Sequence, residues 1–152
     1  MSPTISITAP VAGRIVAIED VPDPAFAGGF MGPGFAVEPA SGTFTAPAAG
    51  EVALIAATGH AYAIRTLEGA EILVHIGLDT VGMGGEGFRA VRAVGDQVQV
   101  GDPIMLVDLA TVGAKAPSTI TPVVVTNGDR FTVSELHLDA AAGDPVIRLT
   151  PA

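Results

Sequence analysis

The sequence predicts an all-β protein: an antiparallel β-sandwich or barrel with an internal pseudo-repeat and a few short helical turns. Three observations carry this. The 152 residues include 19 Gly and 12 Pro spread along the chain, a pattern of many short strands and many turns. Apolar and polar residues alternate in short runs, as in Ile5-Ser6-Ile7-Thr8 and Ile72-Leu73-Val74-His75-Ile76. Short units also recur. Ala9-Pro10-Val11-Ala12-Gly13-Arg14 leads into an apolar run from Ile15 to Ile18, and Ala46-Pro47-Ala48-Ala49-Gly50-Glu51 leads into Val52 to Ile55. A second unit, G-D-x-V-x-V-G-D-P-I-M-L from Gly95 to Leu106, returns in part from Gly143 to Leu149. Repeated strand-turn units of this size suit a pseudo-symmetric sandwich or barrel.

Ile5 to Thr8 opens the chain as a first strand, and the two Ala-Pro units each launch another. Between them lies a segment from Glu19 to Phe35 with three Phe among many Gly and Pro, which rules out a long helix or a central strand there. Asp23-Pro24-Ala25-Phe26 fits one helical turn, with Asp23 as N-cap and Pro24 at the first helical position. Beyond the flexible Gly84-Gly85, the spacing of Phe88, Val91 and Arg92 suits a short helix or an irregular connector. Gly95 to Leu109 reads as strand, turn at Gly101-Asp102-Pro103, strand; Asp108 to Val112 opens a helical turn. Pro122 to Val125 is a strand running into the Asn127-Gly128 turn, Arg130 to Asp139 has no clear pattern, and Val146 to Leu149 is a last strand.

Composition sets the broad class. With 49% hydrophobic and 15% charged residues, the chain can bury a proper core, and its length suits a single domain over 1–152. The net charge of -9 and the lack of any basic run exclude nucleic acid as a partner and favour partners with a basic docking face. The absence of cysteine excludes disulfides and thiol catalysis and fits a reducing compartment. The N-terminus carries no signal-peptide pattern, and no stretch approaches the ~20 apolar residues of a membrane span, so a cytoplasmic protein without direct membrane insertion is expected.

The sharpest functional signal is the stretch from Thr58 to Val81. His60 to Arg65 and Ala70 to Ile76 read as two strands around the turn Thr66-Leu67-Glu68-Gly69. A hairpin with a loop over 66–69 places Arg65 opposite Ala70 and His60 directly opposite His75. Opposed residues share a face, with Cβ atoms roughly 4.5–5.5 Å apart. Ile72, Val74 and Ile76 form the core-facing row, so His75 points out of the core with Leu73. A shorter loop would shift the register by one and oppose His60 to Ile76. The third histidine, His137, has no converging partner and reads as a surface residue.

Two converging imidazoles suit three kinds of chemistry. Zinc needs four ligands, or three with water; no third is evident here, so no metal is expected unless a partner supplies a ligand to His60 and His75. Acid–base catalysis on a small molecule needs a pocket with more polar groups than the sequence offers. Phosphoryl carriage needs a neutral imidazole as nucleophile and donors for the phosphoryl oxygens. In that case one histidine attacks, the other donates N–H, Thr58 adds a hydroxyl and Asp79 lies at the rim. No cofactor is required.

The blocks H-A-Y-A-I-R, V-H-I-G-L-D-T-V, G-E-G-F and V-G-D-Q-V-Q-V-G-D-P-I-M-L-V-D-L resemble the glucose-type enzyme IIA domain of the bacterial phosphoenolpyruvate:sugar phosphotransferase system. The likeness extends to A-P-V-A-G-R-I-V-A-I-E-D-V-P-D near the start, T-P-V-V-V-T-N at 121–127 and D-P-V-I-R-L near the end. It implies an antiparallel β-sandwich with a shallow apolar depression around the histidines. His75 matches the phosphoryl acceptor, at Nε2; His60 matches the supporting histidine and Thr58 its neighbour. The donor is expected to be the phosphocarrier protein HPr and the acceptor the IIB domain of a sugar permease. Asp23 and Asp79 match flanking acids that meet a partner arginine, and Phe26, Phe30, Leu73 and Val81 match the apolar rim. Ala56 departs from the family, standing where an aromatic is common. A regulatory binding module, whose phosphorylation state controls permeases or metabolic enzymes, is the alternative within the same resemblance. A biotinyl- or lipoyl-like carrier would need a lysine on a hairpin tip, and Lys115, the sole lysine, sits in A-K-A-P.

Overall fold

Strands whose alternate residues are apolar must bury one face, and here most of them do so in one shared layer. The computed structural model describes residues 4–134, 136–141 and 143–152, with the backbone alone for 81 and 82. The strands are β1 (Ile5–Thr8), β2 (Gly13–Ala17), β3 (Gly34–Pro39), β4 (Thr43–Thr45), β5 (Gly50–Ile55), β6 (Ala61–Arg65) and β7 (Glu71–His75). They continue with β8 (Phe88–Ala90), β9 (Gln97–Val98), β10 (Pro103–Val107), β11 (Thr121–Val125), β12 (Phe131–Ser134) and β13 (Pro145–Pro151). Two short helices join them, α1 (Pro24–Ala27) and α2 (Leu109–Lys115).

A seven-stranded antiparallel sheet, β2-β3-β11-β7-β6-β5-β9, is one side of the sandwich. Two three-stranded sheets, β1-β13-β12 and β4-β10-β8, form the other. The main core lies between them: Phe35, Tyr62, Ile64, Ile72 and Val74 from the large sheet, with Ile76 just after β7, meet Ile7, Phe44, Ile104, Met105 and Leu149 from the small ones. Each fully buried side chain of this kind contributes roughly 1.5–3 kcal/mol. Tyr62 crosses the layer and donates its hydroxyl to the Thr45 carbonyl at 2.6 Å, so its one polar atom is satisfied where burial pushes its pKa well up.

The repeated units occupy equivalent places. Each Ala-Pro unit is preceded by a threonine, Thr8 or Thr45. The Thr8 N–H donates to the Pro47 carbonyl at 2.9 Å and the Thr45 N–H to the Pro10 carbonyl at 2.7 Å. The two hydroxyls donate to the same carbonyls at 3.2 and 2.9 Å. The units thus clasp each other reciprocally, which bears out the internal pseudo-repeat. The Gly-Asp turns repeat as well: the Asp96, Asp102 and Asp144 carboxylates accept from the N–H three residues earlier in each case.

Local expectations fare unevenly. Asp23 caps α1, accepting from Ala25 N–H at 3.0 Å with Pro24 at the first helical position, and Asp108 caps α2. Phe88 to Ala90 is a strand paired with β10, where a helix or connector was expected, because Gly84, Gly85 and Gly87 at positive φ turn the chain back onto the sheet. The β6–β7 register is the larger correction. Ala61, not His60, stands opposite His75, and Arg65 faces Glu71. The loop closes one residue tighter than expected. Thr66 N–H donates to the Ala70 carbonyl at 2.9 Å, and Ala70 N–H donates back to the Thr66 hydroxyl at 3.1 Å. Thr66 therefore pairs with Ala70, and the loop is left to Leu67, Glu68 and a left-handed Gly69 at φ 92.

The equivalent glycines of the two repeats leave no room for a side chain. A Cβ on Gly13 would lie 2.0 Å from the Glu38 carbonyl oxygen, and one on Gly50 would lie 2.1 Å from that of Arg65. Gly13→Ala and Gly50→Ala should each lower stability by about 1–3 kcal/mol, read from chemical denaturation. Unchanged midpoints would contradict the close approach.

Candidate functional site

Behind the seven-stranded sheet, on the face away from the main core, lies a second apolar cluster. It contains Val16, Ile18, Val21, Phe26, Ala36, Ala61, Ala63, Leu73, Leu78, Ile120 and Val124. The alternation of β7 puts Leu73 and His75 on this face while Ile72 and Val74 enter the core. Expected rim residue Leu73 is thus part of the floor, 8% exposed. Ala61 and Ala63 beside it, with Ala56 packed against the cluster, are small enough to leave the surface shallow.

The two imidazoles do converge, by a different route from the one expected. In the observed register His60 opposes Ile76, with Ile76 N–H donating to the His60 carbonyl at 2.7 Å. Strict alternation would send the His60 side chain toward the core face with Tyr62. His60 lies outside β6, however, just after Gly59 at φ 75, and this left-handed bend frees it from the alternation. Its ring meets that of His75 edge-on, with centroids 5.2 Å apart and planes at 74°. Both rings are half-buried.

Each ring is held at Nδ1. The Thr58 hydroxyl bonds His60 Nδ1. His75 Nδ1 bonds the Gly77 carbonyl at 2.8 Å. A carbonyl only accepts, so this bond places the His75 proton on Nδ1 and leaves the lone pair of the neutral ring on Nε2. A hydroxyl can accept or donate; with Thr58 donating, the His60 proton sits on Nε2. One ring then offers a nucleophile and the other a donor. Phe26 packs against His75 with centroids 5.3 Å apart and planes at 58°, itself only 4% exposed. Burial first, and the neighbouring His75 second, hold the pKa of His60 below its ordinary value of 6.5.

Thr58, His60, His75 and Phe26 therefore form one constellation. Asp23 stands at the N-terminus of α1, half-buried and engaged as its cap, and Asp79 is exposed in the turn after β7. Phe30 is 83% exposed on the loop between α1 and β3 and is not part of the apolar floor. The side chain of Val81 falls outside the described residues. What the sequence did not single out is the Gly77 carbonyl; the only sequence hint is a glycine two residues after the histidine that ends an apolar strand. Among the described residues no group of three His, Cys, Asp or Glu side chains is placed to hold a metal ion. A groove along β2 lined by Arg14, Asp20, Glu38 and Ser118 holds neither histidine, and Arg14 there is already paired with Glu38 at 2.9 Å. Lys115 ends α2 in an ion pair with Glu86 at 2.6 Å, which is not the hairpin-tip lysine of a biotinyl or lipoyl carrier.

An open, apolar-floored surface on which two half-buried imidazoles converge defines a class by fold and site: β-sandwich proteins with a paired-histidine surface site. The comparisons narrow this. Residues 5–131 match the family model of the phosphoenolpyruvate-dependent sugar phosphotransferase system, EIIA 1. The glucose-specific EIIA component of Halalkalibacterium halodurans is 54% identical over 129 residues, covering 85% of this chain and 75% of that protein. The glucose-specific EIIBCA component of Corynebacterium glutamicum is 46% identical over 127 residues, covering 84% of this chain but 19% of that much longer protein. Among solved structures, glucose permease IIA from Mycoplasma capricolum superposes with a TM-score of 0.91 at 36% identity, covering 96% of both chains. The chain belongs to the EIIA 1 family of the sugar phosphotransferase system. No helix among the described residues is long and apolar enough to cross a membrane.

The lowered pKa of His60 makes stability pH-dependent with a definite sign. The unfolded histidine titrates near 6.5 and the folded one lower, so below that value the unfolded chain binds more protons. The contribution of neutral His60 is complete above pH 6.5 and is lost as pH falls through the lowered folded value. Thermal melts from about pH 7.5 down to 5.5 should show a steeper loss of Tm for the native protein than for His60→Gln. Parallel curves would show that His60 is not desolvated.

Proposed function

We propose that this protein is a phosphocarrier that accepts a phosphoryl group on Nε2 of His75 from phosphorylated HPr and passes it to the IIB domain of a sugar permease during sugar uptake. The observation that carries the reading is His75, held at Nδ1 by the Gly77 carbonyl, with its ring edge-on to that of His60. The names of the similar EIIA components make glucose the first sugar to test.

The step follows from the tautomers. The Nε2 lone pair of neutral His75 attacks phosphorus in line with the donor's bond to it. A P–N bond forms at Nε2, and the bond to the donor breaks with its electron pair going to the donor. The His75 ring gains positive charge as this happens, and the Gly77 carbonyl facing Nδ1–H stabilises it through a charge-assisted hydrogen bond. His60 N–H donates to a phosphoryl oxygen, one of the few fixed donors that phosphoryl transfer needs. Phe26, Leu73, Ala61 and Ala63 keep water from the acceptor, which slows hydrolysis of the phosphohistidine. Transfer to the IIB domain is the same displacement in reverse, onto a new nucleophile.

Asp23 and Asp79 supply negative charge beside the site, and the net charge of -9 draws partners with basic docking faces. A flat site suits this use, because the substrate is a group presented on a protein surface. The partner closes over it and excludes solvent.

Incubation with phosphoenolpyruvate, enzyme I and HPr should add one acid-labile phosphoryl group, and His75→Ala should abolish it. Full labelling of that variant would reject His75 as acceptor. His60→Gln keeps an N–H donor but cannot change charge. It should still be phosphorylated, with onward transfer to a IIB domain slowed by roughly 100-fold in stopped reactions. Onward transfer at the native rate would make His60 a bystander.

A further inference from the structure

The Gly77 carbonyl selects the tautomer of His75, so whatever fixes that carbonyl sets the chemistry of the site. Its peptide is held at both ends. The Gly77 C=O accepts from His75 Nδ1 at 2.8 Å, and the N–H of the same peptide plane, that of Leu78, donates to the Ser118 carbonyl at 3.0 Å. The turn that carries this peptide contains two left-handed residues, Gly77 at φ 74 and Asp79 at φ 56. A conformation of that kind persists only when its surroundings determine it.

Thr80 supplies that determination. It is wholly buried, one of few buried polar side chains, and its hydroxyl donates to the Ile76 carbonyl at 2.7 Å. Its methyl packs under Gly77, where an added Cβ would lie 2.7 Å from Thr80 Cγ2 and 2.9 Å from the Ser118 oxygen. Ile76 is in turn the residue whose N–H holds the His60 backbone at 2.7 Å. One hydroxyl thus sits behind the backbone that positions both rings, without touching either.

We propose that Thr80 is a positioning residue: its hydroxyl, by holding the Ile76 carbonyl, locks the turn so that the Gly77–Leu78 peptide keeps His75 in the Nδ1–H form. The proposal rests on His75 as the phosphoryl acceptor for its functional consequence, but the tautomer itself is a property of the unphosphorylated protein. Thr80→Val keeps the shape and removes the hydroxyl; Thr80→Ser keeps the hydroxyl and removes the methyl.

The experiment is nitrogen-15 NMR of the imidazole side chains above the titration range, with the phosphorylation rate from phospho-HPr measured alongside. The native protein and Thr80→Ser should show His75 protonated at Nδ1 only. Thr80→Val should show a mixture with Nε2–H and a rate reduced about tenfold. A valine variant with the pure Nδ1–H form and the native rate overturns the proposal. Should the valine variant fail to fold, the serine variant decides: it must keep the single tautomer, and a mixture there overturns the role of the hydroxyl. The tautomer is read without phosphate, so it tests Thr80 even where phosphoryl transfer fails in the native protein.

Discussion

The site depends on one short hydrogen bond between residues two apart, from His75 Nδ1 to the Gly77 carbonyl at 2.8 Å. A free histidine samples both tautomers and rotates. This bond removes both freedoms and leaves a single nitrogen available. It is possible only because the chain turns sharply after β7, with Gly77 in a conformation that favours glycine. It is precise because β7 is a central strand, paired with β6 on one side and β11 on the other. A side chain on a strand braced on both sides moves little, which the proposed transfer between two proteins requires.

The sandwich explains why the site is where it is. Its large sheet is apolar on both faces near the centre, and the small sheets cover one of them. On the other face, α1 and the loop around it cover part, ending with Phe26 against His75. The remainder stays open and shallow because Ala56, Ala61 and Ala63 are small. In the proposed transfer, this open apolar floor is the surface that would dry when a partner docks.

Much of this was legible in the sequence, for identifiable reasons. Alternation in Ile72 to Ile76 gave the faces of β7, since one buried face fixes the pleat. Asp23-Pro24 gave the start of α1 through capping chemistry. The recurring Ala-Pro units gave the pseudo-symmetry, though not the reciprocal threonine clasps behind it. The hairpin register was not legible, because it turned on whether Thr66 belongs to the loop or pairs with Ala70, and a side-chain bond decided that. The convergence of the histidines survived the wrong register because Gly59 releases His60 from the strand's alternation. The Gly77 carbonyl and buried Thr80 were missed for another reason: they act through backbone geometry, and composition and spacing carry little trace of it.

In the proposed transfer one nitrogen, His75 Nε2, takes the phosphoryl group. Phosphorylating protein labelled with nitrogen-15 and measuring phosphorus–nitrogen coupling on the His75 ring tests it directly. Phosphorus should couple to Nε2 while Nδ1 still carries its proton. Phosphorus on Nδ1, or on either nitrogen of His60, would contradict the account.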